Sequence, residues 1–347
     1  MRLALLALAL AGCTLDGGEG PGPGVSSAEC GSCHPAQQEE LAASRHAMSG
    51  SSPVFEAMLP RVREAWGEGA EARCIGCHRP AHAEEAQVTC VSCHAAVGNH
   101  RTADGALVID PSLPIAGPFG DTTEPHASRP GGFLAAPELC GTCHQVEGPE
   151  LFFEPTFEEY LASPAGEAGL GCVACHMPSL PAAPIALDAP AARRRRSHRF
   201  TGIDPSPADP GGEASARLLA DALTLTVEPD GDGFTVALTN TGAGHAVPTG
   251  LGLLRDTWVD LVVDGEPRSR VIELGHRLMR GAEPVALPTD ADMATPRALA
   301  PGESVTVRVP GERVEAFLRA RAIRHDALDA LALPHDLAPT LQVAAAP

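Results

Sequence analysis

Five copies of the motif Cys-x-x-Cys-His lie between residues 30 and 176 of this 347-residue chain. Random placement of the same cysteines and histidines would give roughly 0.01 copies. The motifs use ten of the eleven cysteines. Their residues are Cys30, Cys33 and His34; Cys74, Cys77 and His78; Cys90, Cys93 and His94; Cys140, Cys143 and His144; and Cys172, Cys175 and His176. Any fold of the chain must therefore accommodate five copies of whatever this motif binds.

The motif has the chemistry of covalent haem attachment. Two thiols two residues apart can add to the two vinyl groups of a haem, and the adjacent histidine then binds the iron. Zinc sites combine a Cys-x-x-Cys with a second pair of ligands and do not need the adjacent histidine. A thioredoxin-like redox pair would occur once, in a βαβ setting. The sequence therefore predicts five c-type haems, with His34, His78, His94, His144 and His176 as proximal ligands.

A second histidine can bind the opposite face of each iron, and nine histidines lie outside the motifs. We expect the distal ligands to be His46, His100, His126, His198 and His245. Each of them could instead be a surface residue. His82 remains a further candidate, whereas His276, His325 and His335 lie far from the motifs and are expected to be ordinary histidines.

The first residues, MRLALLALALAGC, resemble a bacterial lipoprotein signal. Residues 1–12 form a short signal peptide, too short for a permanent membrane span. Cys13 then becomes the lipidated first residue, and residues 13–28 form a flexible tether rich in glycine and proline. An ordinary signal peptide with an incidental cysteine is the alternative. We expect an exported protein anchored by lipid on the periplasmic side, and Thr14 after Cys13 favours the outer membrane.

Residues 29–217 are predicted to form a haem-packed domain of short helices and irregular chain. Aromatic and β-branched residues are scarce there, so the haems themselves would form the core. Helices are expected at 35–47, 52–68 and 156–163, the last beginning after a proline. Because only eleven residues separate the second motif from the third, we expect those two haems to lie side by side.

Residues 218–347 contain no cysteine and alternate as strands. Two strands flank the turn Asp230-Gly231-Asp232-Gly233, which is a strong hairpin signal. Regular strands separated by glycine and proline turns predict an antiparallel β-sandwich of immunoglobulin-like form. The stretch 312–332 fits a strand or a helix. The loop carrying His245 is expected to be tight and exposed, so that it can approach a haem closely. Gly242 and Gly244 remove side chains that would obstruct the porphyrin, and Pro248 limits how far the loop can flex.

The formal net charge is −19, which excludes nucleic acid as a partner. The expected partners are redox proteins, either other cytochromes or a membrane quinol or oxidoreductase complex, together with the membrane through the lipid anchor. The run Arg193–Arg196 is a local exception to the acidic character. It is either a solvated basic linker or a set of partners for haem propionates or an acidic protein.

Several segments resemble multihaem cytochromes related to hydroxylamine oxidoreductase and the tetrahaem cytochrome c-554. The segments are ECGSCHPAQQEELAASRHAM, CIGCHRPAH with VTCVSCHAAVGNH, IAGPFGD with PHASRP and ELCGTCH, FEEYLASPAG with GLGCVACHMPS, SHRFTG, and GAGHAVPTG. The last two are similar to segments of members with a C-terminal β domain. The resemblance implies electron transfer, or oxidation or reduction of a small nitrogen compound.

Two departures bear on the choice between a carrier and an enzyme. The chain contains no lysine, so the lysine-ligated haem of nitrite reductases is absent. The cross-linking tyrosine of hydroxylamine oxidoreductase has one possible counterpart, Tyr160, on a predicted packing helix. The expected function is electron transfer through five haems, without an assigned catalytic residue. The alternative is a reductase or oxidase of a small nitrogen or sulfur compound at one five-coordinate haem.

Overall fold

The computed structural model describes residues 26–80, 86–99, 107–110, 112–120, 126–148, 151, 153–187, 189 and 191–347. The predicted signal peptide, the predicted lipidation site Cys13 and most of the tether lie outside these residues, as do His82 and His100. Within the described ranges, no helix is long and apolar enough to cross a membrane.

Short helices dominate the first part of the chain. The α-helices are α1 (Ser27–Cys33), α2 (Pro35–Ala42), α3 (Pro53–Trp66), α4 (Glu68–His78), α5 (Cys90–His94), α6 (Glu138–Gly141), α7 (Thr156–Leu161), α8 (Pro164–Glu167), α9 (Val173–His176), α10 (Glu213–Ala222) and α11 (His325–Ala330). The 3₁₀ turns are His46–Met48, Gly132–Ala135, Pro288–Asp290 and His335–Leu337.

Strands before residue 200 have at most six residues, whereas most of those after residue 222 have six to nine. The short ones are β1 (Ala96–Asn99), β2 (Leu107–Ile109), β3 (Ile115–Gly117), β4 (Ser128–Pro130), β5 (Val146–Glu147), β6 (Phe153–Glu154), β7 (Ser179–Pro184) and β8 (Ala192–Arg196). The later ones are β9 (Leu223–Asp230), β10 (Gly233–Asn240), β11 (Asp256–Val263), β12 (Glu266–Leu274), β13 (Arg277–Arg280), β14 (Glu283–Pro284), β15 (Met293–Thr295), β16 (Ser304–Pro310), β17 (Val314–Arg321) and β18 (Leu341–Ala346).

The predicted helices are present but shorter than expected. The helix predicted over 35–47 begins at Pro35 and ends at Ala42, and the chain turns before the separate 3₁₀ turn at His46–Met48. The helix predicted over 52–68 is α3, which starts at Pro53 and stops where Gly67 adopts φ +85°. Proline suits the first position of a helix and glycine the conformation that ends one. The interruption before His46 decides where that ring points.

Two antiparallel sheets pack face to face in the C-terminal part. One has the strand order β16-β10-β9 and the other β12-β11-β17-β18. The hairpin predicted at Asp230–Gly233 is confirmed, because Gly233 pairs with Asp230 in the β9–β10 ladder. Alternate residues of both sheets point inward, and Val236, Leu238 and Leu318 are fully buried in the shared core. The predicted antiparallel arrangement is therefore present, whereas its immunoglobulin-like form stays a prediction.

Other elements extend this sandwich. Helix α10 contributes Leu219 to the sheet core, and the predicted domain boundary at 217/218 falls inside this helix. The stretch 312–332 contains both of the predicted alternatives, β17 followed by α11. Helix α11 belongs to a second apolar cluster that includes Leu287 and Leu328. Val54 and Met58 of α3 pack against this cluster and so join the two parts of the molecule.

Candidate haem-binding site

Each Cys-x-x-Cys-His motif lies on a short helical turn. The motif cysteines fall in or beside α1, α4, α5, α6 and α9. Residues i and i+3 of a helix share one face, so the two cysteine side chains of each motif point the same way. Helix α1 starts with a capping box, in which the Ser26 hydroxyl accepts from the Glu29 N–H and the Glu29 carboxylate accepts from the Ser26 N–H. Such a cap lets a helix of only seven residues hold Cys30 and Cys33 in place.

The five motif histidines all have a fixed ring orientation. In every case Nδ1 lies within hydrogen-bond distance of an oxygen, so an Nδ1–H donates to it and leaves Nε2 as the metal-binding nitrogen. The acceptors are the backbone oxygens of Ile185 for His34 (2.7 Å), Ser49 for His78 (2.9 Å), Ala116 for His94 (2.7 Å) and Thr201 for His176 (2.7 Å), and the Glu154 carboxylate for His144 (2.9 Å). Metal-bound imidazoles usually donate their other ring N–H to an oxygen in this way.

Four motif histidines face a second histidine across a nearly constant gap. The ring centroids are separated by 6.2 Å in His34–His126, 6.2 Å in His46–His144, 6.3 Å in His94–His198 and 6.2 Å in His176–His245. The partners come from distant parts of the chain, and one of them comes from the β-sandwich. These four facing pairs include four of the five histidines expected as distal ligands, while His100 lies outside the described residues.

The size of the gap fits one metal ion between each pair of rings. Imidazole nitrogens bind transition metals at about 2.0–2.1 Å, so two ring centres on opposite sides of one ion lie roughly 6 Å apart. Van der Waals stacking of the two rings would bring them closer, as in the His325–His335 pair at 3.9 Å. The thiols and the facing imidazoles together form the donor set of a c-type haem with two histidine ligands.

The facing histidines are held much like the motif histidines. Nδ1 of His126, His198 and His245 lies 3.2, 3.0 and 2.8 Å from a backbone oxygen. His46 is the exception, because its Nδ1 is buried without a hydrogen-bond partner among the described residues. Burial lowers the pKa of His46 to about 3 and that of His198 to about 4, so both rings are neutral at physiological pH. Neutral imidazole is the form that binds metals.

His78 differs from the other four motif histidines. Among the described residues, no imidazole faces it across such a gap. Instead the Phe55 ring stacks on His78, with centroids 4.4 Å apart and planes 7° from parallel. The nearby histidines His82 and His100 lie outside the described residues. The described residues thus contain four facing histidine pairs, and they contain no histidine that faces His78.

The hydrogen bond of His144 is the only one among the motif histidines that ends on a carboxylate. Glu154, in β6, is 9% exposed and its Oε1 lies 2.9 Å from His144 Nδ1. Burial by itself lowers the pKa of His144, but the hydrogen bond and the charge of Glu154 outweigh it, so that the pKa is raised. The sequence around Glu154, LFFEPTFEEY, carries no signal for this role.

Contacts between thiols show how the motifs are arranged in space. Cys30 is hydrogen-bonded to Cys90, Cys140 to Cys172, and Cys143 to Cys77, and these neighbouring thiols raise the pKa of Cys30, Cys140 and Cys143. The fourth motif therefore touches both the second and the fifth, while the first touches the third. The fourth and fifth motifs are consecutive in the sequence, whereas the other two contacts join motifs that are not. The side-by-side packing expected for the second and third motifs stays a prediction.

The arginine run predicted as a linker or a docking site is part of a strand. Residues Arg193–Arg196 belong to β8, which pairs with β7. Arg195 donates to the Glu40 carboxylate at 2.8 Å, and Glu40 also accepts from the backbone N–H of His198 at 2.9 Å. Burial raises the pKa of Glu40, but these bonds lower it by more. Arg195 therefore positions a histidine that faces His94.

The glycines beside His245 are required by contacts with protein atoms, and their expected role beside a porphyrin stays a prediction. A Cβ at Gly242 would lie 2.1 Å from the Asp221 carbonyl oxygen, and one at Gly244 would lie 2.9 Å from Ala165. Both positions require glycine because protein atoms approach closely. The His245 loop is fixed further by the Glu159 carboxylate, which accepts from the Ala246 N–H at 3.2 Å and from the Thr249 hydroxyl at 2.6 Å.

Comparison with known proteins identifies the fold. No family model matches the chain, and no curated protein matches it. Among solved structures, it is similar to a penta-haem cytochrome c552 from Thermochromatium tepidum. The identity is 19%, the alignment covers 93% of this chain and 98% of the other, and the TM-score is 0.67. The chain thus has the fold of a penta-haem cytochrome c.

Proposed function

We propose that the protein is a multihaem c-type cytochrome that transfers electrons through five covalently bound haems. The observation that carries the proposal is the set of four facing histidine pairs with nearly equal separations. An iron held by two fixed histidines has no open position for a substrate, and it changes little between oxidation states. The likeness in fold to a penta-haem cytochrome supports the same function.

The thiol contacts support a branched route for the electrons. The first, third, fourth and fifth motifs form a continuous series, because Cys93 also lies within electrostatic range of Cys140 and Cys143. The second motif joins this series at the fourth through Cys77 and Cys143. Haems attached to neighbouring thiols lie close together, and close haems exchange electrons without rearrangement of the protein. We name the fourth motif, Cys140, Cys143 and His144, the junction.

Haem content and ligation can be measured on the mature protein. A pyridine haemochrome assay with intact-mass measurement should give five haems per chain. Electron paramagnetic resonance of the oxidised protein should show two kinds of low-spin signal. The ring planes lie 15° apart in two facing pairs, and 54° and 72° apart in the other two, and strongly inclined planes give a more anisotropic signal. Four or fewer haems, or fewer than four low-spin irons, would contradict the proposal.

The second candidate function is reduction or oxidation of a small nitrogen or sulfur compound at the His78 haem. It is favoured by one observation, the lack of a facing imidazole for His78 among the described residues. An enzyme of this type needs an iron position to which a small ligand can bind. One high-spin iron that binds cyanide or nitric oxide in the oxidised or reduced protein would favour this candidate. Five low-spin irons that bind neither would exclude it.

The location and partners form a further part of the proposal. The protein is exported, lipid-anchored through Cys13 on the periplasmic side of the outer membrane, and exchanges electrons with other redox proteins. Its charge of −19 favours partners with basic docking surfaces. Replacing Cys13→Ser should release it from the membrane fraction or block its processing. Unchanged membrane association of the variant would rule out the lipid anchor.

A further inference from the structure

The junction has an asymmetric pair of histidines. On one side, His144 donates its Nδ1–H to the buried carboxylate of Glu154 at 2.9 Å. On the other side, the Nδ1 of His46 is buried and has no partner among the described residues. The other facing pairs have backbone oxygens on both sides. The junction therefore differs from them in the charge placed next to its ligands.

We propose that Glu154 sets the junction haem to a lower reduction potential than it would have with a neutral acceptor, acting as a positioning residue through His144. This inference rests on the proposed ligation of one iron by His46 and His144. A carboxylate acceptor raises the basicity of the imidazole, which then donates more electron density to the iron. The negative charge also favours the oxidised iron, and burial strengthens this effect because the local dielectric constant is low.

The C-terminal part of the molecule supports the charge on Glu154. A Cβ at Gly250 would lie 3.7 Å from both Glu154 Oε1 and Arg255 Nη2, so the two side chains approach the same point. The charge of Arg255 interacts with those of Asp204 and Glu154, and its Nε is buried without a partner among the described residues. A cation in the neighbourhood of a buried carboxylate makes the buried charge less costly. The loop that precedes β11 thus brings a cation towards the carboxylate.

The consequence concerns the direction of electron flow. The junction touches the second and fifth motifs through its thiols. A lower potential there means that the junction haem accepts an electron less readily than it would with a neutral acceptor. Electron transfer through the junction is then less favourable by the same amount.

The test is a spectroelectrochemical titration of the five-haem protein carrying Glu154→Gln. Glutamine keeps the shape and can still accept from Nδ1–H, but it lacks the charge. We expect one of the five midpoint potentials to shift to a higher value and the other four to stay unchanged. The matched control is Glu158→Gln, which removes the same charge from an exposed position four residues further along the chain. The control should leave all five potentials unchanged.

Unchanged potentials in Glu154→Gln would overturn the inference, as would an equal shift in the control. If Glu154→Gln does not mature with five haems, Glu154→Asp replaces it. Aspartate keeps the charge but moves it away from His144, so the same potential should still rise, and a wild-type value would overturn the inference. His46→Ala tests the ligation separately. Its failure to produce one high-spin iron would refute the His46–His144 pair, whatever the potentials show.

Discussion

The two halves of the chain bury their apolar side chains very differently. Of the 38 apolar side chains that are buried among the described residues, nine lie before residue 200 and 29 lie after residue 213. Both apolar clusters are built on buried residues between 219 and 341. The C-terminal region therefore has the core of an ordinary β-sandwich, whereas the motif region does not. A chain segment with so few buried apolar residues needs another apolar body to fold around, and five haems would provide it.

The largest expected difference between the regions appears when haem attachment is prevented. In a host without cytochrome c maturation, amides of residues 26–200 should exchange with solvent as in an unfolded chain. Strands β9–β12 and β16–β18 should stay protected, because their core contains only protein side chains. Hydrogen exchange followed by mass spectrometry measures both regions in one sample, with the matured protein as control. Equal protection, or equal loss of protection, would refute the contrast.

A core truncation in the sandwich should destabilise the C-terminal region and leave the motif region unchanged. Leu238 in β10 is fully buried in the sheet core, and Leu238→Ala should cost about 2–5 kcal/mol of stability in that region. The haem spectrum should be unchanged, since this residue lies in the core between the sheets. Hydrogen exchange of β9 and β10 gives the free energy. The matched control is Glu228→Ala on the exposed end of β9, which should change stability by less than about 0.5 kcal/mol.

Loss of a single shared residue should affect both regions to a smaller extent. His245 belongs to the C-terminal region but faces His176 at 6.2 Å. His245→Ala should convert one of five haems to the high-spin state, raise its potential and increase exchange in the loop 242–252. Electron paramagnetic resonance reports the first effect. His335→Ala, in which a half-exposed ring paired with Asp329 is removed, should cause none of these changes. If the spectrum of His245→Ala stays fully low-spin, His245 does not bind an iron, and the two regions are not linked through it.

The smallest expected effect is at the hydrogen bonds between the regions. Thr249→Val removes the hydroxyl that binds Glu159 and should cost about 0.5–1.5 kcal/mol of docking free energy. Burial raises the pKa of Glu159, although its hydrogen bonds to Thr249 and Ala246 lower it in part. A raised carboxyl pKa means that docking is strongest below the unfolded-state pKa and weakens as pH rises through the folded-state value. Limited proteolysis of the loop 242–252 as a function of pH measures the strength of docking, and Thr239→Val is the control. Docking that does not depend on pH would contradict it.

Elements close in sequence were predicted well. The hairpin at Asp230–Gly233, the antiparallel pattern of the C-terminal strands and the starts of the helices at Pro35, Pro53 and Thr156 depend on neighbouring residues, and the structure has them. Helix ends were predicted less well, as in the segment 35–47, because the turn before His46 is fixed by distant contacts. Arg45 there donates to the Pro205 carbonyl oxygen and pairs with Asp204 at 3.0 Å.

The sequence by itself determined the chemistry of the site, because two cysteines and a histidine at fixed spacing carry their function within a single helical turn. It also determined which histidines were available as second ligands. Only the tertiary structure decided how they pair: His126 with His34, His46 with His144, His198 with His94 and His245 with His176. Facing rings come from segments up to 104 residues apart, as His94 and His198 do. No local sequence pattern predicts which residues so far apart will face each other. The role of Glu154 could not be predicted either, because it depends on the fold that brings Glu154 to His144.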